Sequence, residues 1–412
     1  MPIFTRTLES GMPLVVETMP GVRSAALSWL LPAGSAFDPD HQQGMTAMFA
    51  ELLLRGAGSL GSRDQADAFD RLGAARAAEP GSFTMRIGCT MLGERLPDVL
   101  PLVVDMAMRP RMDYDAIDPA RDLALQALAA VNDDPHERAA LLLRARHNPK
   151  PLDRSGLGTE AGLAAIERED LVMAWRNSSK PSPSVMAVAG AVDPDAIEKQ
   201  LNHLLTGWHG EHPEPALGPT PPRGYGHQHD ETNQVQILLA HDAPPEPHAD
   251  SLLEKFVISV LSGGMAGRLF TEVREKRGLC YSVNAGYRGD KVHGAVSAYV
   301  GTTPERAQES LDVLWEQLLH LSTPAGAITP DEFARAKVGM KSGLVFSGES
   351  SSARAAALAH DYRRLGRGRS LEELATQVDA VTVDQLNAYL ARRKMGTVTI
   401  QTLGPKPLRS PA

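Results

Sequence analysis

The densest run of chemically capable side chains is Leu261-Ser262-Gly263-Gly264-Met265-Ala266-Gly267-Arg268-Leu269-Phe270-Thr271-Glu272-Val273-Arg274-Glu275-Lys276-Arg277-Gly278-Leu279-Cys280-Tyr281-Ser282-Val283. A glycine-rich run that opens a helix has the outline of a phosphate cradle. That cradle must close on Gly-Lys-Ser/Thr, so that the Lys meets phosphate and the hydroxyl meets magnesium, and neither is present. Taken alone, Arg274-Glu275-Lys276-Arg277 is a solvated, charged helix face. No Gly-x-Ser-x-Gly elbow offers a serine nucleophile, and Ser347-Gly348-Glu349-Ser350-Ser351-Ser352 reads as a loop or helix cap. Cys89 and Cys280 are the only cysteines, too few for a disulfide framework and without paired zinc spacing, so both read as packed thiols. His209, His212, His227 and His229 form the main histidine cluster. Metal binding is open to such a tract, but exposed residues of a flexible linker are its commoner explanation.

The elements that would position these residues occur twice. Ala26–Leu31 reads as a strand and Gly44–Leu54 as a helix, and the same order returns as Val235–Ala240 and Ser251–Leu261. Ile117-Asp118-Pro119-Ala120-Arg121 is echoed by Ile328-Thr329-Pro330-Asp331-Glu332, each with a capping residue and a Pro at a helix start. Ile166–Leu171 is echoed by Val381–Leu386, each leading through a short helix into an apolar strand, Ser184–Ala189 and Thr397–Ile400. Tyr281–Tyr287 and Val292–Val300 flank the turn-like Arg288-Gly289-Asp290-Lys291 and predict a hairpin. Local pairing of this kind favours an α+β chain of two duplicated halves, each an antiparallel sheet with helices packed on one face, over a doubly wound parallel sheet. The halves are placed at residues 1–208 and 230–412, joined by a Pro/Gly/His-rich linker at 209–229.

Length and charge bound the function classes. The 412 residues carry 42 Lys+Arg against 50 Asp+Glu, a net charge of −8, enough chain for two or three domains. Nucleic acid is not expected as a partner, because the basic residues are scattered and form no stripe or stacking platform. No apolar run reaches the roughly 18 to 20 residues of a membrane span, so no membrane anchor is expected. The opening Met1-Pro2-Ile3-Phe4-Thr5-Arg6 lacks a charged region, an apolar region and a cleavage site. The expectation is a soluble cytoplasmic protein, or a periplasmic one if a leader was removed.

The 261–283 run resembles the C-terminal half of the M16 metallopeptidases, the insulinase, pitrilysin and mitochondrial-processing-peptidase family. The family's motif ends in an Arg and a Tyr seven positions apart that hold substrate opposite the catalytic zinc, and here these map onto Arg274 and Tyr281. The chemistry fits: a guanidinium grips a carbonyl or carboxylate of a peptide, and a phenol donates to the oxyanion formed when water attacks the scissile carbonyl. Members of the family are built from duplicated α+β halves joined by a linker, so the resemblance covers nearly the whole chain.

Active members carry His-x-x-Glu-His on the helix after the first strand, with both His on one face as zinc ligands and the Glu as general base. In Gly44–Gly56 those positions align with Ala47, Ala50 and Glu51, all replaced, and no two histidines in the chain lie four residues apart. The family's third ligand, a later Glu, falls where this chain reads Asp122–Val131, and no Glu occurs between Glu94 and Glu137. Glu51 alone reads as a paired or partly exposed acid. The resemblance thus implies no metal in this chain and a zinc-free subunit, inactive alone, whose homologous His-x-x-Glu-His partner supplies zinc and base in a heterodimer acting on peptides. The alternative it leaves is a non-proteolytic structural or peptide-binding M16-like protein.

Overall fold

In the computed structural model, residues 2–411 are described. Met1, the first residue of the opening segment weighed above, lies outside them. The chain forms two compact units, residues 1–130, 150–218 and 346–371 in one, and 131–149, 219–345 and 372–412 in the other.

The first unit holds a six-stranded sheet built from β1 (Ile3–Thr7), β2 (Pro13–Thr18), β3 (Ser24–Leu31), β6 (Ala75–Pro80), β7 (Met85–Leu92) and β8 (Val185–Gly190), in the order β1-β2-β8-β3-β7-β6. A two-residue ladder, β4 (Gly56–Ala57) and β5 (Leu60–Gly61), stands apart from it. The second unit holds β9 (Gly224–His229), β10 (Val235–Asp242), β11 (Cys280–Gly289), β12 (Gly294–Thr302) and β13 (Thr399–Gly404), in the order β11-β12-β10-β13-β9. The two orders superimpose: β8 lies between β2 and β3 as β13 lies between β9 and β10. In each sheet the pair β2/β8 or β9/β13 is parallel and the others are antiparallel. Even the helix starts repeat, since Arg168–Ser178 and Val383–Arg392 both open on a capping box, Glu167 with Asp170 and Thr382 with Gln385. The duplicated α+β architecture is therefore a property of the fold.

Three local differences from the sequence reading have physical causes. Residues 224–229, within the Pro/Gly/His-rich stretch, form β9 and pair in register with β13; they contain no proline, so every amide can join a ladder. The helix expected to start near Asp118 spans Tyr114–Ala130, with Pro119 inside it. Its first turn is held by Ala116 N–H donating to the Asp113 carbonyl, and by the Tyr114 hydroxyl donating to Glu169 at 2.7 Å. The hairpin turn falls at Asp290–His293 rather than two residues earlier, where Asp290 N–H donates to the His293 carbonyl at 2.7 Å.

Each sheet buries one face under the main helical layer, and the opposite face takes a helix from the other half of the sequence. Helix Ser351–Leu365 lays Leu358 and Ala359 on Val15, Leu30, Val185 and Ala187 of the first unit. Helix Pro135–His147 lays Ala139 and Leu143 on Leu238, Ala240 and Leu403 of the second. Each helix offers one alanine and one leucine, so that the small residue lets the backbone approach the sheet while the larger one fills the space beside it.

The last residue of helix Pro135–His147 is buried. His147 Nδ1 lies 3.0 Å from Thr399 Oγ1, and its Nε2 is 3.7 Å from Asp242, which Arg223 grips through both oxygens. Burial, reinforced by the Arg223 charge, pushes His147 down to about 4; burial beside Arg393 does the same to His241. Both are neutral in the folded unit yet take protons near 6.5 when unfolded, so stability is complete above that value and falls as pH drops from about 6.5 to about 4. The expected loss is on the order of 3 kcal/mol for each at full titration. Hydrogen exchange of second-unit amides across this pH range checks it, and His147→Asn should flatten the dependence.

Candidate functional site

The 261–283 run folds as a helix, a turn, a short wide coil and a strand. Helix Ser251–Ser262 ends at Gly263, where a Cβ would lie 2.2 Å from the Ser259 carbonyl oxygen, so only glycine fits. The chain then re-enters a π-helical turn at Phe270–Glu275, in which Lys276 N–H reaches back to the Thr271 carbonyl at 2.9 Å. Leu269 and Val273 point into the core of the second unit. Arg268 fastens the coil through two bonds to Glu332, at 2.6 and 2.7 Å, and through the Gly326 and Ala327 carbonyls. Burial alone would raise the Glu332 carboxyl, but the Arg268 bonds overcome it and hold it at about 2, so this anchor is ionised throughout the neutral range. Gly278, at φ +61°, closes the coil, its N–H donating to the Arg274 carbonyl at 3.0 Å, and Leu279 drops into the core.

Strand β11 follows, at the edge of its sheet, and opens on a bulge. Cys280 pairs with Thr302 and Ser282 with Gly301, so Tyr281 has no partner opposite and is turned outward, 82% exposed. A bulge re-aims a side chain in this way without breaking the rest of the ladder. The result is contact between the two predicted site residues: the Arg274 guanidinium carbon lies 5.1 Å from the Tyr281 ring centroid and 4.8 Å from that of Phe270. Phe270 is a contributor that sequence reasoning missed; its place one coil before Arg274 was the available signal.

Charges around this group are already matched. Glu272 accepts from Lys276 at 2.6 Å and from Arg277 at 2.8 Å. Among the described residues Arg274 has no carboxylate partner, only the two ring faces. A guanidinium whose neighbours are aromatic rings rather than a carboxylate keeps N–H groups for a planar acceptor. Burial pushes the neighbouring Cys280 thiol up to about 11, against the Arg274 charge, and keeps it in the protonated, slowly reacting form.

In the first unit, helix Met45–Leu52 carries the other three predicted positions. Its N-terminus is held by Asp38, which accepts from Gly44 N–H at 2.9 Å, Thr46 N–H at 3.1 Å and the Thr46 hydroxyl at 2.6 Å. Ala47 and Ala50 are half-buried methyls against the core, and Glu51 pairs with Arg55 at 3.6 Å along the helix. The neighbouring helix Tyr114–Ala130 buries Ile117, Ala120 and Ala124. These side chains do not fit a zinc ion: alanine has no ligand atom, and the single carboxylate is committed to a cation. Among the described residues no three His, Cys, Asp or Glu side chains converge as a metal site.

The histidines of the 209–229 stretch are dispersed. His212 stacks on Phe37 with ring centroids 4.6 Å apart, His227 Nδ1 lies 2.9 Å from Thr402 Oγ1, and His229 lies 3.2 Å from Glu231. No helix among the described residues is long and apolar enough to cross a membrane.

Comparison with known proteins adds what the chain is similar to. Residues 165–340 match the model described as "Peptidase M16 inactive domain". An uncharacterized zinc protease of Mycobacterium bovis is 29% identical, over 97% of this chain and 93% of its own length. Among solved structures, the peptidase M16 inactive domain from Pseudomonas fluorescens superimposes with a TM-score of 0.85 at 20% identity, covering 100% of both chains. A chain of complex III2 from Candida albicans superimposes with a TM-score of 0.82 at 18% identity, covering 98% of this chain and 96% of that one. Both structures share its fold.

Proposed function

We propose, from the match of residues 165–340 to the model described as "Peptidase M16 inactive domain", that this chain belongs to the M16 peptidase family and is the zinc-free subunit of a two-chain zinc peptidase. The observation that supports the reading is the Arg274–Tyr281 pair, an outward phenol against a guanidinium that has no carboxylate partner among the described residues, in a chain whose Ala47 and Ala50 cannot bind metal. A homologous partner carrying His-x-x-Glu-His supplies the zinc, its ligands and the general base. This chain supplies two groups for peptide hydrolysis. Arg274 positions the bound peptide, and Tyr281 donates a hydrogen bond to the oxyanion that develops on the scissile carbonyl. Alone, the chain has no hydrolytic activity. It works in the cytoplasm, or in the periplasm if a leader has been removed.

A second reading is a structural or peptide-binding protein without proteolysis, which the shared fold of the complex III2 chain favours. One experiment separates the two: isolation of the chain from its native source, with mass spectrometry of what accompanies it and metal analysis. A near-stoichiometric partner containing His-x-x-Glu-His and about one zinc per pair is expected. A metal-free homo-oligomer without such a partner overturns the subunit reading.

A further inference from the structure

The edge on which Tyr281 stands is open over a short stretch only. Strand β11 pairs with β12 on one side, and on the other side the Ala285 N–H donates to Ser262 Oγ at 3.0 Å. In an antiparallel ladder the main chain of alternate residues points to the same side, so Val283 turns its N–H and C=O outward as Ala285 does. Among the described residues nothing bonds these two groups of Val283 from outside the sheet. Between the hydroxyl of Ser262 and the Tyr281 bulge, Val283 is therefore the one residue whose main chain can form a rung with a further strand. Near it, across Tyr281, stands Arg274, in contact with the Phe270 and Tyr281 rings and without a carboxylate partner among the described residues, while Glu272 is taken by Lys276 and Arg277.

A single main-chain rung next to an unmatched planar cation selects a particular ligand. The peptide must be extended to pair with Val283, and it must bring a planar anion to Arg274, because a neutral carbonyl would leave the charge uncompensated. We propose that this site is a peptide-carboxylate receptor: the rung at Val283 holds the peptide backbone and Arg274 takes a carboxylate, from the chain terminus or from an acidic side chain. The proposal rests on the reading above only in placing a peptide at Arg274 and Tyr281. It adds the substrate class, peptides with a carboxylate within a residue or two of the paired segment.

The test uses the full chain by itself, so its outcome is independent of whether a zinc-bearing partner is found. Three N-acetylated pentapeptides of valine, threonine and alanine are titrated by calorimetry: a free acid, the same sequence as a C-terminal amide, and that amide with glutamate at its penultimate position. At least one carboxylate peptide is expected to bind about 10-fold tighter than the neutral amide, as for a charge-assisted pair, and which one it is identifies the source of the carboxylate. Arg274→Gln should abolish the preference with an unchanged thermal melt, and Arg274→Lys should retain part of it, since a point charge replaces a fork. Equal binding of all three peptides, binding of none, or a preference that survives Arg274→Gln would overturn the proposal.

Discussion

Tyr281→Phe, assembled with the zinc-bearing subunit, is expected to lower turnover by about 100- to 1000-fold with zinc content unchanged, the usual cost of losing one oxyanion donor. The substitution removes a single oxygen. The ring is retained, so the stack on Arg274 and the bulge at the start of β11 should persist, and substrate affinity should change far less than turnover. An 82% exposed phenol has no folding role to lose, so the melting temperature of the subunit should stay where it is. Steady-state kinetics with metal analysis of both complexes checks this. Parent-like turnover in the mutant complex would remove Tyr281 from the chemistry.

The second large effect concerns stability. Glu17 of β2 and Arg354 of helix Ser351–Leu365 are both about 1% exposed, and join at 2.6–2.7 Å across 337 residues of sequence. Arg354 also donates to the Arg369 carbonyl at 3.1 Å, while Glu17 Oε1 has no hydrogen-bond partner among the described residues. Arg354→Met should destabilise the first unit by about 3–5 kcal/mol, because it strands a buried carboxylate. Replacing both residues, Glu17→Leu with Arg354→Met, should recover most of that loss, since an apolar pair of similar volume has no desolvation cost. Urea midpoints of the two single variants and the double variant test it. Additive losses would mean that the pair is not what fastens this helix.

Where the site was readable, the reason is local. Glycines at 263, 264, 267 and 278, apolar residues at 269, 273 and 279, and the capping boxes at 167–170 and 382–385 are each decided by φ restrictions or by helical period within a turn or two. At the positions where the family resemblance implies metal ligands, Ala47 and Ala50 lack ligand atoms in any conformation. Phe270 was missed for the opposite reason. Phe270 lies four residues before Arg274, an ordinary helical spacing that marks no ligand site by itself, and only the bulge at the start of β11 brings the Tyr281 ring to the same guanidinium.

The sequence by itself determined the repeat and the strand and helix types, because these depend on residue chemistry and short-range spacing; Arg274 and Tyr281 as site residues, and Ala47, Ala50 and Glu51 as replaced metal positions, are what its resemblance to the M16 family implies. Only the tertiary structure decided that β9 begins inside the Pro-rich stretch, that helices Pro135–His147 and Ser351–Leu365 each complete the sheet of the other half, and that Arg274 carries no matching charge. Those outcomes turn on which surfaces are left to bury once both sheets have formed. Burial free energy is non-directional along the chain, so no local pattern records which distant face a helix will cover.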